Sequence, residues 1–163
     1  MQIRPYTAQD ASALAAIFHE AVHGPASQAY SAAQRRAWSP APASAEQFAS
    51  RISEERQVWV ATDAEDRPLG FIELEADGHI DRFYCRPDVA GTGVGAALYR
   101  TLEEAAVERG IRQLRVEASE AARRFFEKQG FVTDARREFP YNGVEIHNYA
   151  MHKDLSRAAS ERS

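Results

Sequence analysis

Phe83-Tyr84-Cys85-Arg86-Pro87-Asp88-Val89-Ala90-Gly91-Thr92-Gly93-Val94-Gly95-Ala96 is the stretch on which the reading of the chain turns. It leaves a strand-like run, His79 to Cys85, and passes through a proline-containing loop into three glycines within five residues. Leu98, Leu102, Ala105 and Ala106 then recur at helical spacing as far as Gly110, a helix stop. Glycines there let backbone N–H groups approach a ligand without Cβ obstruction, and the start of a helix adds partial positive charge. Together they suit a pyrophosphate. A loop that only needs positive φ angles would carry the same glycines, but the strand before and the helix after favour an anion site. A nucleotide P-loop requires a Lys after its last glycine, and none follows. Gly91-x-Gly93-x-x-Ala96 also fits a dinucleotide fingerprint, with Glu117 as the ribose acid. Against that reading, Arg86 to Ala90 separate the glycines from their strand, and the chain shows a single β-α-β unit.

Working outward, Val58–Thr62, Leu69–Ala76 and His79–Cys85 read as strands, the last two joined by an Asp77-Gly78 hairpin turn. Beyond the glycine loop come a helix from Gly93 to Arg109, a strand Leu114–Glu117 and a helix Glu120–Gln129 closed by Gly130. Strands Phe131–Phe139 and Val144–Met151 flank a second hairpin turn, Asn142-Gly143. Toward the N-terminus, Ile3–Tyr6 is a short strand. Thr7 and Asp10 then open a helix with Leu14, Ile17, Phe18 and Ala21 on one face. Short helices fit Ser31–Trp38 and Ala45–Glu55. The expected class is α+β: one domain over residues 1–155, a mixed, mostly antiparallel sheet with one central β-α-β unit and flanking helices. Residues 156–163 read as a frayed polar tail.

The chain has 163 residues, 44% hydrophobic and 27% charged, with 20 Lys+Arg against 24 Asp+Glu. Such values exclude a collagen, a disulfide scaffold and a largely disordered chain. Without a basic excess or stripe, no nucleic-acid partner is expected. The lone Cys85 excludes an intrachain disulfide and the usual zinc spacings. His147 and His152 show no ligand spacing, so no metal is expected and both read as strand surface. Met1 to Pro5 lacks the apolar core of a signal peptide, and no apolar run approaches the ~20 residues of a membrane span. A cytoplasmic protein with no membrane partner is the expectation.

Phe83 to Asp88 followed by Gly91 to Gly95 resembles the strand, loop and pyrophosphate motif (Arg/Gln-x-x-Gly-x-Gly/Ala) of the GNAT superfamily of acetyl-CoA-dependent N-acetyltransferases. Ala122 to Phe131 is similar to its second signature, a helix ending in Gly-Phe, and Ser119 stands where the family often has Asn. The resemblance covers Ile3 to Lys153 and implies acetyl transfer from acetyl-CoA directly to a primary amine. Two departures stand out. Ala90 replaces the Arg or Gln that opens the pyrophosphate motif. Phe126 occupies the place where many members carry a Tyr that protonates the leaving thiolate.

The resemblance assigns donor binding to the backbone at Phe83, Tyr84 and Cys85, to Ala90, Gly91, Thr92, Gly93, Val94, Gly95 and Ala96, and to Ser119, Arg124, Phe125 and Phe126. It places base or water-relay residues at His79 and Asp81. Strand alternation puts 79, 81, 83 and 85 on one face. His79 titrates near neutrality when unperturbed, as a base should; it reads equally as a hairpin-edge residue. Glu73, on the neighbouring strand, is a third base candidate and shares its face with Phe71. Tyr84, Tyr141 and Tyr149 are the phenols that could replace the missing Tyr. Cys85 and His79 lie about 20 Å apart along a strand, too far for a nucleophile and its base. Tyr30, Trp38 and Phe71 are the aromatic candidates for the acceptor, a small-molecule or peptide amine; they read equally as core. A homodimer is common in the family. Two other functions remain: a catalytically silent CoA-binding module, and a nicotinamide dinucleotide enzyme.

Overall fold

The computed structural model describes residues 1–24, 29–52 and 55–155. Seven strands, β1 (Gln2–Pro5), β2 (Gln57–Thr62), β3 (Pro68–Leu74), β4 (His79–Cys85), β5 (Gln113–Ala118), β6 (Val132–Tyr141) and β7 (Val144–Asp154), form one sheet in the order β1-β2-β3-β4-β5-β7-β6. Every neighbouring pair is antiparallel except β4 and β5, the two strands joined by a helical crossover. The helices are α1 (Ala11–Val22), α2 (Ala32–Trp38), α3 (Ala45–Ser50), α4 (Val94–Glu108) and α5 (Glu120–Lys128). This is the expected single α+β domain with its central β-α-β unit.

Two apolar layers hold the sheet. On one face Leu98, Tyr99, Leu102 and Ala106 of α4 and Phe126 of α5 bury against Ile72, Leu74, Ile80, Leu114, Val116 and Met151. On the other, Leu14 and Ile17 of α1 and Phe48 of α3 bury against Val58, Val60 and Phe71. Burial of this kind is the main favourable contribution to folding. The entry to α1 is tied locally: the Asp10 carboxylate accepts from Thr7 N at 2.9 Å and from both terminal nitrogens of Arg4 at 2.8 Å. Gly78 has φ +99°, and a Cβ there would stand 2.2 Å from Gln113 O. Only glycine lets the β3–β4 turn lie that close to β5.

The register carries one correction. Gly70, Phe71 and Ile72 face Cys85, Tyr84 and Phe83, but Leu74 faces Ile80. Glu73 therefore stands opposite two residues, Asp81 and Arg82, in a β-bulge, and simple alternation fails there. Ile80, Phe83 and Cys85 turn toward the α4 layer and Tyr84 toward the α1 layer. Thus 79, 81, 83 and 85 do not share one face as alternation predicted. The expected helix Ala45–Glu55 stops at Ser50, and β7 extends beyond Met151 to Asp154. The tail at 156–163 lies outside the described residues. Among the described residues no helix is long and apolar enough to cross a membrane.

Candidate active site

After Cys85 the chain turns through a 3-10 segment, Pro87–Val89, and Thr92 folds back so that its N and Oγ1 both donate to Val89 O, at 3.2 and 2.5 Å. Gly91 and Gly93 adopt φ +75° and +92°, and a Cβ at either would meet nothing within 4 Å. Their outer side is open. The first hydrogen bond of α4 runs from Ala97 N to Gly93 O at 3.0 Å, so the N–H groups of Gly93, Val94, Gly95 and Ala96 have no acceptor within the helix. Gly95 has a different task. A Cβ there would lie 3.3 Å from the Phe83 ring, so its absence lets α4 sit down on β4. The Ala90 side chain adds no polar group to this cradle.

β4 and β5 pair only at His79↔Arg115 and Ile80↔Val116. Past that rung they part, and a cavity of about 150 Å³ opens between them. Asp81, Phe83 and Tyr84 line it from β4, and Val116, Glu117 and Ser119 from β5 and its end. Ala122 and Phe126 line it from α5, Phe139 and Tyr141 from β6, Ile146, His147 and Asn148 from β7, and Trp38 from α2. Ser119 caps α5, its Oγ accepting from Ala122 N at 3.3 Å. Phe126 is buried among the rings of Phe83, Tyr99, Phe125 and Phe131. Arg124 is exposed.

The three base candidates are placed very differently. Glu73 is fully buried and outside the cavity wall, its two oxygens held by Arg56 Nη1 at 2.7 Å and Arg82 Nη2 at 2.6 Å. Asp81 does line the cavity, with Oδ2 2.5 Å from Arg56 Nη1 and 3.8 Å from Arg51 Nη2. His79 lies between two carboxylates, Nε2 2.6 Å from Glu117 Oε2 and Nδ1 3.3 Å from Glu75 Oε1. The hydrogen bond to Glu117 pushes its pKa up to about 9, so at neutral pH it is a cation rather than a base. The same bond holds Glu117 below its usual range.

Among the aromatic candidates, Phe71 belongs to the core, fully buried 5.5 Å from the Phe48 ring and 6.1 Å from Tyr84, and does not line the cavity. Tyr30 is buried, donating to His147 O and accepting from Glu120 N, both at 3.1 Å. Trp38 packs edge-on against Tyr30 and reaches the cavity wall. Of the phenols, Tyr84 is raised far out of range by burial and Tyr149 donates to Glu120 Oε1 at 2.5 Å; Tyr141 is exposed. Burial also pushes the Cys85 thiol up to about 12, consistent with an inert packed side chain.

Two wall residues escaped the sequence reading in their present roles. Glu117 lies on the cavity rim, and His147 is not strand surface: its Nε2 is 2.7 Å from Glu120 Oε1. The available signal was the period of β7, which puts His147, Tyr149 and buried Met151 on one face.

Residues 26–153 match the acetyltransferase (GNAT) domain family. The uncharacterized N-acetyltransferase YafP of Escherichia coli (strain K12) is 34% identical over 151 residues, 93% of this chain and 94% of that protein. The peptidyl-lysine N-acetyltransferase YjaB of the same organism is 36% identical over 84 residues, 52% of this chain and 55% of that protein. A crystal structure of a GCN5-related N-acetyltransferase from Rhodopseudomonas palustris has a TM-score of 0.87 at 37% identity, covering 94% of this chain and 95% of that one.

Proposed function

The chain belongs to the GNAT acetyltransferase family and is an acyltransferase, and from that premise we propose that it moves an acetyl group from acetyl-CoA directly to a primary amine on a cationic small molecule or peptide. The observation that carries this reading is the opening between β4 and β5, whose wall residue Phe83 packs against Gly95 of the glycine loop. The residues present fit the donor. Gly91 and Gly93 leave the loop's outer side open, and the N–H groups of Gly93 to Ala96 suit pyrophosphate oxygens. Phe83 and Phe126 offer apolar wall to the pantetheine arm.

When bound, acetyl-CoA supplies an activated acetyl group as a thioester. The chain's part is to hold it, to orient the amine and to manage one proton. Trp38, Phe139 and Tyr141 give the cavity aromatic faces, and Asp81 and Glu117 place carboxylates on its wall that are shared with neighbouring cations. That combination suits an ammonium group approaching from solvent. The likeness to YjaB, a peptidyl-lysine acetyltransferase by name, supports placing a lysine side chain first among acceptors.

Thermal unfolding with acetyl-CoA, CoA, NAD and NADP side by side tests the donor. At about 100 times its Kd a ligand adds roughly 2.7 kcal/mol, a shift of several degrees. The expected result is a rise with both CoA forms and none with the dinucleotides, followed by thiol release with lysine peptides or polyamines. Stabilisation by a dinucleotide alone overturns the reading. Phe126, which has no hydroxyl to protonate a thiolate, favours one second reading, a silent CoA-binding module; binding with no thiol release across the amines would select it.

A further inference from the structure

We propose that His147, held by Glu120, is the proton-transfer residue of this site, taking the proton that the acceptor nitrogen loses and returning it to the sulfur that leaves. The inference rests on the reading of the protein as an acetyl-CoA-dependent amine acetyltransferase. An ammonium acceptor first releases one proton to solvent; the neutral amine then forms the C–N bond as the C–S bond breaks, and its second proton passes from nitrogen to sulfur. A single imidazole suffices for both halves.

His147 lines the cavity between the parted strands. Its Nε2 is 2.7 Å from Glu120 Oε1, and among the described residues nothing occupies its Nδ1. A carboxylate on one ring nitrogen fixes the tautomer, so the other nitrogen keeps its lone pair for a proton. The support is built from three elements. Glu120 opens α5 and also accepts from Tyr149 Oη. Tyr30 packs at a tilt against the imidazole, 5.0 Å between ring centres, while its hydroxyl bridges His147 O and Glu120 N. The other charged groups nearby are Arg123 of α5, lying over the Tyr149 ring, and the Arg136–Glu138 pair of β6, Glu138 being the register partner of His147.

The remaining titratable groups of the wall are poorly suited. Asp81 and Glu117 are each paired to cations, Asp81 to Arg56 and Arg51, Glu117 to His79 and Arg137. The Tyr84 phenol is buried, the Tyr141 phenol is exposed with no hydrogen bond among the described residues to orient it, and Phe126 carries no hydroxyl. His147 alone combines a fixed orientation with a free nitrogen.

The test compares wild type, His147→Ala, His147→Gln and Glu120→Gln, with acetyl-CoA as donor and an Nα-blocked lysine peptide and spermidine as acceptors. Free thiol, acetyl-CoA affinity and thermal stability are measured for each. Removing His147 is expected to lower kcat by about 10²–10³-fold, with acetyl-CoA affinity unchanged within twofold. Added imidazole should restore part of the turnover of His147→Ala. The acid limb of the wild-type pH profile should vanish in both His147 variants. Glu120→Gln, which leaves the imidazole without the carboxylate that orients it, should affect kcat more than KM. His147→Gln keeps the wall polar and reports if the Ala variant fails to fold. Normal turnover in a folded His147 variant, or a loss that tracks acetyl-CoA affinity and is not rescued by imidazole, overturns the proposal and leaves the acetyltransferase reading standing. Wild-type protein that binds no acetyl-CoA, or turns over no amine, overturns both.

Discussion

Nε2 of His79 lies 2.6 Å from Oε2 of Glu117, and this ion pair crosses from β4 to β5 at the point where the two strands separate. It ties the narrow end of the opening while the rest of the strands diverge. His79 ionises far above its usual 6.5, at about 9, and Glu117 ionises below its usual range, each because of the other. The pair's stabilisation is present in full below pH 6.5 and is lost as pH rises through about 9. The Glu117 half of the linkage runs the other way and is lost only in acid. Because Glu117 is partly exposed, the effect is discounted to ~1 kcal/mol, about 2–4 °C. Thermal melts of wild type and His79→Gln should therefore differ at pH 6.5 and converge above pH 9. A constant difference across that range would show that the pair does not hold the strands.

Asp81, placed by the family resemblance, and Glu73, a third candidate on the neighbouring strand, are separated by the fold. Glu73→Ala leaves Arg82 buried against the Phe48 ring, 4.1 Å from its centre, without its carboxylate. Stranding a buried charge costs about 3–5 kcal/mol, or roughly 10 °C. Asp81→Asn removes one of three carboxylates around Arg56, so its cost in stability should stay near ~1 kcal/mol. Its effect should appear instead as a raised KM for a cationic acceptor. A stable Glu73→Ala protein with lost activity would reverse these assignments.

The contrast shows what the sequence could and could not carry. Strand positions, hairpin turns and the glycine loop were legible because each rests on local chemistry: Gly78, Asn142 and Gly143 adopt positive φ in the hairpin turns, and Gly91 and Gly93 do so in the loop. The identity of the polar wall was not. One extra residue at Asp81–Arg82 shifts the register of β4, and no period-two reading shows where such a bulge falls. His147 becomes part of the site only because α5 brings Glu120 to it, a contact between residues 27 positions apart. Phe71 was misplaced for the complementary reason: the helices that cover its face, α1 and α3, lie far away in sequence.

Trp38 provides a test of the acceptor end. Helix α2 is docked on the β6–β7 hairpin by Asn142 Nδ2 donating to Ala37 O at 2.7 Å and Gln34 Nε2 donating to Glu145 O at 2.8 Å. These bonds place the indole at the cavity wall without using it as core. Trp38→Ala should raise acceptor KM about tenfold, the scale of one cation–π or stacking contact, and leave acetyl-CoA affinity unchanged. A parallel loss of acetyl-CoA binding in calorimetry would place the indole on the donor side instead.

The glycine loop can be tested against a control within the same helix. Gly91 and Gly93 have positive φ with open space where a Cβ would go, and so does Gly110, at φ +76° beyond the other end of α4. An alanine at any of the three forces a left-handed conformation costing roughly 1–2 kcal/mol, so the loss of thermal stability should be similar, about 2–8 °C. The three should differ in binding. Gly91→Ala and Gly93→Ala project a methyl into the space proposed for the pyrophosphate and tilt the free N–H groups of the helix start. Acetyl-CoA affinity should fall about tenfold or more. Gly110→Ala carries the same strain far from the loop and should keep wild-type affinity. Equal affinity across all three variants would mean that these glycines serve the turn alone, and would move the pyrophosphate away from the start of α4.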